Sequence, residues 1–186
     1  LGAFRVGPLV ADPGLSARLD ALQARGLPLI LTVGLPDLPR AQTGHKPTQR
    51  RIDLLAIEQN AWTLAARDPR CVVVATRTGG ARLQEGMVAL VQMARTASAA
   101  TRHARAGPLS LGVYGSPTTG GVYASYRSLV DVRAAVDHAV IGFAGPRVAE
   151  AVTGQAVGQR SHTAESALAS GLIDGVAAPE DLGPWI

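Results

Sequence analysis

The chain has 186 residues, 47% of them hydrophobic and 17% charged. That apolar content excludes the disordered class, and the length suits one domain over residues 1–186 with one sizeable core. Aromatics are only 4%, so the core is expected to rest on Ala, Val, Leu and Ile; the formal charge of +4 comes from arginines and one lysine, Lys46, a balance that suits a polyanionic ligand without requiring one.

Cys71 is the single cysteine, in the apolar run Cys71 to Ala75, and reads as a core thiol that forms no internal disulfide and no four-ligand zinc site. No apolar stretch approaches the roughly 20 residues needed to span a bilayer, and the start lacks the basic-then-apolar pattern of a signal peptide, so cytoplasmic placement is expected. Basic residues are not interleaved with stacking aromatics, which argues against nucleic acid as a partner.

In chain order, Pro28 to Gly34 reads as a buried strand, and the Pro- and Gly-rich stretch to Thr48 as a loop. A helix-compatible segment with Ile52, Leu55, Ile57, Trp62 and Leu64 stops near Asp68-Pro69. Cys71 to Ala75 is a second strand and Thr76 to Gly80 a turn. Leu83 to about Ala104 predicts a helix, with Leu83, Met87, Leu90, Val91 and Ala94 on one face. Leu109 to Val113 is a third strand, Gly115 to Thr119 a loop, and the segment from Gly120 again helical. Ala139 to Phe143 reads as a strand, Arg147 to Val152 and Ala164 to Ser170 as helices, and Leu172 to Val176 as a final strand. This alternation points to an α/β fold with largely parallel strands, and periodicity does not separate a doubly wound sheet from a spiral of β-β-α units.

Two glycine pairs, Gly79-Gly80 in RTGGARLQEG and Gly120-Gly121 in SPTTGGVYAS, each follow a strand and open a helix. Without a Cβ the backbone can approach a ligand closely, and N–H groups at a helix start favour negative charge. Two such turns brought together can hold one oxyanion, where removal of a preorganised donor commonly costs about 3 to 4 kcal/mol. The plain alternative, that each pair only makes a tight turn, stays open at this point.

Other chemistries find less in the sequence. Neither GxGxxG after a strand nor GxxxxGK[ST] occurs, which sets aside Rossmann and P-loop readings, and no GxSxG elbow supports Ser116, Ser125 or Ser161 as a nucleophile. His45, His103, His138 and His162 are scattered, and with one cysteine no metal site is expected. Glu85 follows the first pair by one turn, as a helix-start residue or a base. From Arg70 to Arg105 the only acidic residue is Glu85; Arg82 is the first candidate to bind phosphate or orient the site and Arg147 the second.

The runs GGARLQEGMVALVQMARTASA, SPTTGGVYASY and HAVIGFAGPRVAEAV resemble, in order and spacing, the beta-type carboxyltransferase subunit of acetyl-CoA carboxylase and its acyl-CoA carboxylase relatives, from about Cys71 to Val176. The resemblance implies a crotonase-like spiral of β-β-α units, a coenzyme A thioester as substrate, and a carboxyl group on biotin carried by another protein. It further implies an oligomer with an alpha-type subunit and a biotinyl carrier protein. It gives Gly80, Ala81, Gly120 and Gly121 the oxyanion role and places Gly79, Arg82, Thr118, Thr119, Gly145 and Arg147 around the substrate. The sequence differs from the family pattern at Arg77-Thr78 before the first pair and at Gly44-His45-Lys46-Pro47 before the first long helix. A biotin-independent acyl-thioester decarboxylase and a non-catalytic assembly subunit are the rival readings.

Overall fold

The computed structural model describes residues 4–6, 24, 29–33, 62–63, 65–67, 71–80, 86–158 and 161–181. Seven strands form one sheet: β1 (Phe4–Val6), β2 (Leu29–Val33), β3 (Val72–Thr78), β4 (Ser110–Thr119), β5 (Val132–Val136), β6 (Ile141–Gly142) and β7 (Gly175–Ala177). Their order is β1-β2-β3-β4-β5-β7, with β6 paired to the far end of β4, and every pairing between them is parallel. Parallel strands need crossovers, and the helices supply them: α1 (Gly86–Arg105), α2 (Gly120–Ala124), α3 (Pro146–Thr153) and α4 (Ala164–Ala169). β3 carries the run Val72-Val73-Val74, all buried, as a central strand covered on both faces requires.

Three differences from the sequence reading bear on the site. β4 does not stop at Val113 but runs through Gly115 to Thr119, because Thr118 N–H donates to Val140 O (2.8 Å) and the strand passes from β5 to β6 along its length. β5 is a strand that no predicted element covered. The face of α1 bearing Met87, Leu90, Val91 and Ala94 looks outward, with Met87 71% and Leu90 56% exposed. The helix lies on the core through Ala89, Thr96, Ala99, Ala100 and His103 instead. Those mostly small side chains let it approach closely. Periodicity identifies an apolar stripe without saying what covers it.

The core is also less purely aliphatic than composition suggests. Trp62, Tyr114, Tyr123 and Tyr126 are all buried in it, so every tyrosine of the chain is a core residue. Tyr114 donates its hydroxyl hydrogen to Arg127 O (2.6 Å) and Tyr123 to Leu172 O (2.5 Å), which satisfies two polar groups that burial would otherwise penalise. His103 is fully buried with its ring 5.5 Å from Trp62, a packing residue. Cys71 is half-buried at the foot of β3; burial first, then the charge of Asp131, raises its pKa and keeps it a thiol.

Candidate active site

The two glycine turns meet. β3 and β4 are neighbours, with Thr78 paired to Thr118, so the residues that leave their carboxyl ends emerge side by side. This is the end of a parallel sheet where ligands usually bind. A Cβ on Gly80 would lie 2.9 Å from Gly120 Cα, 3.0 Å from Thr119 O and 3.2 Å from Gly121 N; one on Gly120 would lie 3.0 Å from Gly80 Cα and 3.1 Å from Gly79 O. All of these are backbone atoms, which cannot swing aside. Both glycines also have positive φ, +96° and +73°. Only glycine at both positions permits the contact.

The donors of the two turns differ. Gly80 N–H donates to Thr78 Oγ1 (3.0 Å), so the first turn is locked by the buried Thr78 side chain and that amide is engaged locally. The sequence singles out Thr78 only as a departure from the family pattern, although a threonine two residues before a glycine is a common turn former. Gly120 and Gly121 are the first two residues of α2, and Thr119 at its N-cap makes no side-chain cap bond. Their N–H groups belong to the set that an α-helix leaves without intrahelical partners.

Thr118 is completely buried; its hydroxyl lies 2.8 Å from Gly115 O and 3.1 Å from Thr76 O, so it knits β4 to β3 and offers a ligand only its backbone. Thr119 is nearly as buried, and its Oγ1 lies 3.8 Å from where a Cβ on Gly145 would sit. Gly145 is the N-cap of α3, followed by Pro146 at the first helical position, where a missing N–H is harmless. The turn 142–145 therefore abuts the second glycine turn, and Gly79, Gly80, Thr119, Gly120, Gly121 and Gly145 come together. Arg147 is exposed on α3. Ala81, Arg82 and Glu85 lie outside the described residues, as do Gly44, His45, Lys46 and Pro47.

Neither serine of the β4–α2 region is placed as a nucleophile: Ser125 donates to Gly121 O (2.6 Å) and Ser116 accepts from Val140 N–H (3.2 Å). Among the described residues no three His, Cys, Asp or Glu side chains gather to hold a metal, and no helix is long and apolar enough to cross a membrane. The two turns thus pack backbone to backbone with no room for a Cβ between them, and the first amides of α2 lie at that contact.

The chain is similar to known proteins in sequence and in fold. The chain is 44% identical over 119 residues, 63% of its length, to the acetyl-coenzyme A carboxylase carboxyl transferase subunit beta of Synechococcus sp. (strain JA-3-3Ab), and spans 38% of that relative. In structure it is similar to a Pseudomonas malonate decarboxylase hetero-dimer (TM-score 0.63, 23% identity, 87% of this chain and 72% of that one). An enoyl-CoA hydratase/carnithine racemase from Magnetospirillum magneticum is a more distant likeness (TM-score 0.51, 15% identity, 72% of this chain and 61% of that one). The fold is thus the crotonase type expected from the sequence. The carboxyl transferase domain family matches residues 42–182, three quarters of the sequence, and the chain belongs to that family.

Proposed function

We propose that this chain is the thioester-holding half of a biotin-dependent acyl-CoA carboxyltransferase, as the name of its Synechococcus relative suggests. The observation that carries the reading is the backbone contact between Gly80 and Gly120, which brings the two glycine turns together with the first amides of α2 beside them. A thioester oxygen seated beside these turns accepts from Gly121 N–H; Ala81, the donor the sequence resemblance implies for the first turn, lies outside the described residues. Hydrogen bonding to that oxygen would stabilise the enolate left when the α-proton is taken; the base for that proton would be the biotin nitrogen whose bond to the carboxyl carbon has broken, and the α-carbon's electron pair would attack the carbon dioxide so released. Thr78 fixes the first turn, and Thr119 with Gly145 braces the second. Arg147 and Arg82 are the candidates for the phosphates of coenzyme A.

No described residue is assigned to biotin. Biotin, on a carrier protein, supplies the carboxyl group, and an alpha-type subunit completes the site. Uncovered apolar surface supports that partnership. α1 exposes Met87, Val88, Leu90 and Val91, and α3 has no buried side chain while Val148 and Val152 stand 53% and 81% exposed. An eight-residue helix is too short to be stable in water by itself and gains from a surface to lie on.

Carboxyl transfer to acetyl-CoA, assayed with and without an alpha-type subunit and carboxylated carrier, tests the reading. Turnover that needs both additions and is lost in Gly121→Val supports it. Decarboxylation of a malonyl thioester without biotin would replace it with the decarboxylase reading, and no binding of any acyl-CoA would leave an assembly role.

A further inference from the structure

Beside the second glycine turn, the segment after β6 and helix α4 enclose a cleft of about 350 Å³, within the range of small-ligand pockets. Its walls are polar and apolar in about equal part: Ile141, Phe143, Ala144, Ala167 and Leu172 make the apolar side, and among the described residues the only ionisable side chain lining it is His162. The serine hydroxyls of its α4 wall have given their hydrogens to backbone: Ser166 donates to Thr163 O (3.0 Å) and Ser170 to Ser166 O (2.8 Å). Among the described residues no arginine or lysine lines it to pair with a phosphate, and its apolar side suits an uncharged chain.

His162 is held there against its own preference. Its φ is +73°, a conformation that L side chains rarely adopt. Ile141 N–H donates to its carbonyl (3.0 Å), and Ser161 Oγ lies 2.7 Å from its Nδ1. The ring lies over β6 so closely that a Cβ on Gly142 would sit 2.6 Å from Cδ2. A strained residue that several contacts keep in place points to a function for its side chain.

The cleft and the second glycine turn share a face. Thr119 and Gly142 are register partners in parallel strands, so their side-chain positions project the same way. Gly142 projects toward His162, that is, toward the cleft. Thr119, the residue before Gly120-Gly121, therefore stands about 4.8 Å away across one strand spacing. A thioester whose oxygen rests at the glycine turn has its acyl carbons within a few bonds of the cleft.

We propose that this cleft receives the acyl end of the thioester, an uncharged aliphatic chain longer than acetyl, with His162 as the wall that sets its width. The proposal rests on the thioester reading above. Calorimetry of the full chain with acetyl-, butyryl- and hexanoyl-CoA tests it. Burial of each added methylene is expected to tighten binding roughly fourfold, so butyryl-CoA should bind about tenfold or more better than acetyl-CoA. Ala144→Leu, which fills the cleft, should bring that ratio to about one. His162→Asn, which tolerates the left-handed backbone, should move the preference toward hexanoyl-CoA. Equal binding across the series by the unmodified chain overturns the proposal and leaves the thioester reading standing, as does a ratio that survives Ala144→Leu in a folded variant. Failure of all three thioesters to bind sinks both.

Discussion

Replacing Gly80 by alanine puts one methyl group where the structure has none to spare. The new carbon would meet Gly120 Cα at 2.9 Å and Thr119 O at 3.0 Å, and the residue would have to keep φ near +96°. The backbone conformation costs an L-residue about 1–2 kcal/mol, and forcing two backbone segments apart adds about 1–3 kcal/mol. A loss of roughly 4 kcal/mol is a large part of the stability of a domain this size and should lower the melting temperature by about 10 °C. The same displacement moves the turns out of register with a bound carbonyl, so turnover should fall by about 10²-fold or more. Gly79→Ala is the internal control, since nothing lies within 4 Å of its added carbon. Thermal melts read with carboxyl-transfer rates would refute the reasoning if Gly80→Ala behaved like Gly79→Ala.

Leu90→Glu, on the exposed face of α1, should leave the melting temperature nearly unchanged yet weaken association with an alpha-type subunit by at least tenfold, measured by sedimentation; unchanged association removes α1 from that interface. Burial holds the Tyr114 phenol protonated well above its usual range, so its contribution to stability is present below the unfolded value of about 10 and is lost as pH rises beyond it. Tyr114→Phe should flatten that alkaline loss in denaturant titrations and cost about 1–3 kcal/mol at neutral pH, because Arg127 O loses its donor. His138, at φ +58° with its side chain 87% exposed, should accept glycine with a gain of about 1 kcal/mol; a drop in stability would mean that its contact with Asp137 matters more than the backbone.

The glycine turns are easier to read in this sequence than the packing around them. The glycine pairs are visible because each ends a strand-like run and opens a helix-like one. Their meeting across forty residues follows once β3 and β4 are taken as parallel neighbours. α1 is visible from its long periodic run, but its two faces are both rich in apolar or small residues, and only the tertiary contact selects Ala99 and Ala100 over Leu90 and Val91. Gly115-Ser116-Pro117 reads as a turn because its residues are turn formers. The bonds that make it strand come from Val140 and from β3, distant in sequence. β5 escaped notice because Arg133 interrupts a short apolar run; its guanidinium reaches Asp174 at 3.1 Å, a pairing that no local pattern announces. His162 likewise reads as one scattered histidine, since its positive φ and its fit over Gly142 exist only in the folded chain.

The donor itself can be removed without removing the turn. Proline is tolerated in the first turn of a helix, and Gly121 is the second residue of α2, so Gly121→Pro deletes one N–H while Gly121→Ala keeps it. In carboxyl transfer with partner and carrier present, the proline variant should be slower than the alanine variant by about 10²–10³, with both folded by circular dichroism. Equal rates in the two variants would contradict the claim that this amide holds the oxyanion.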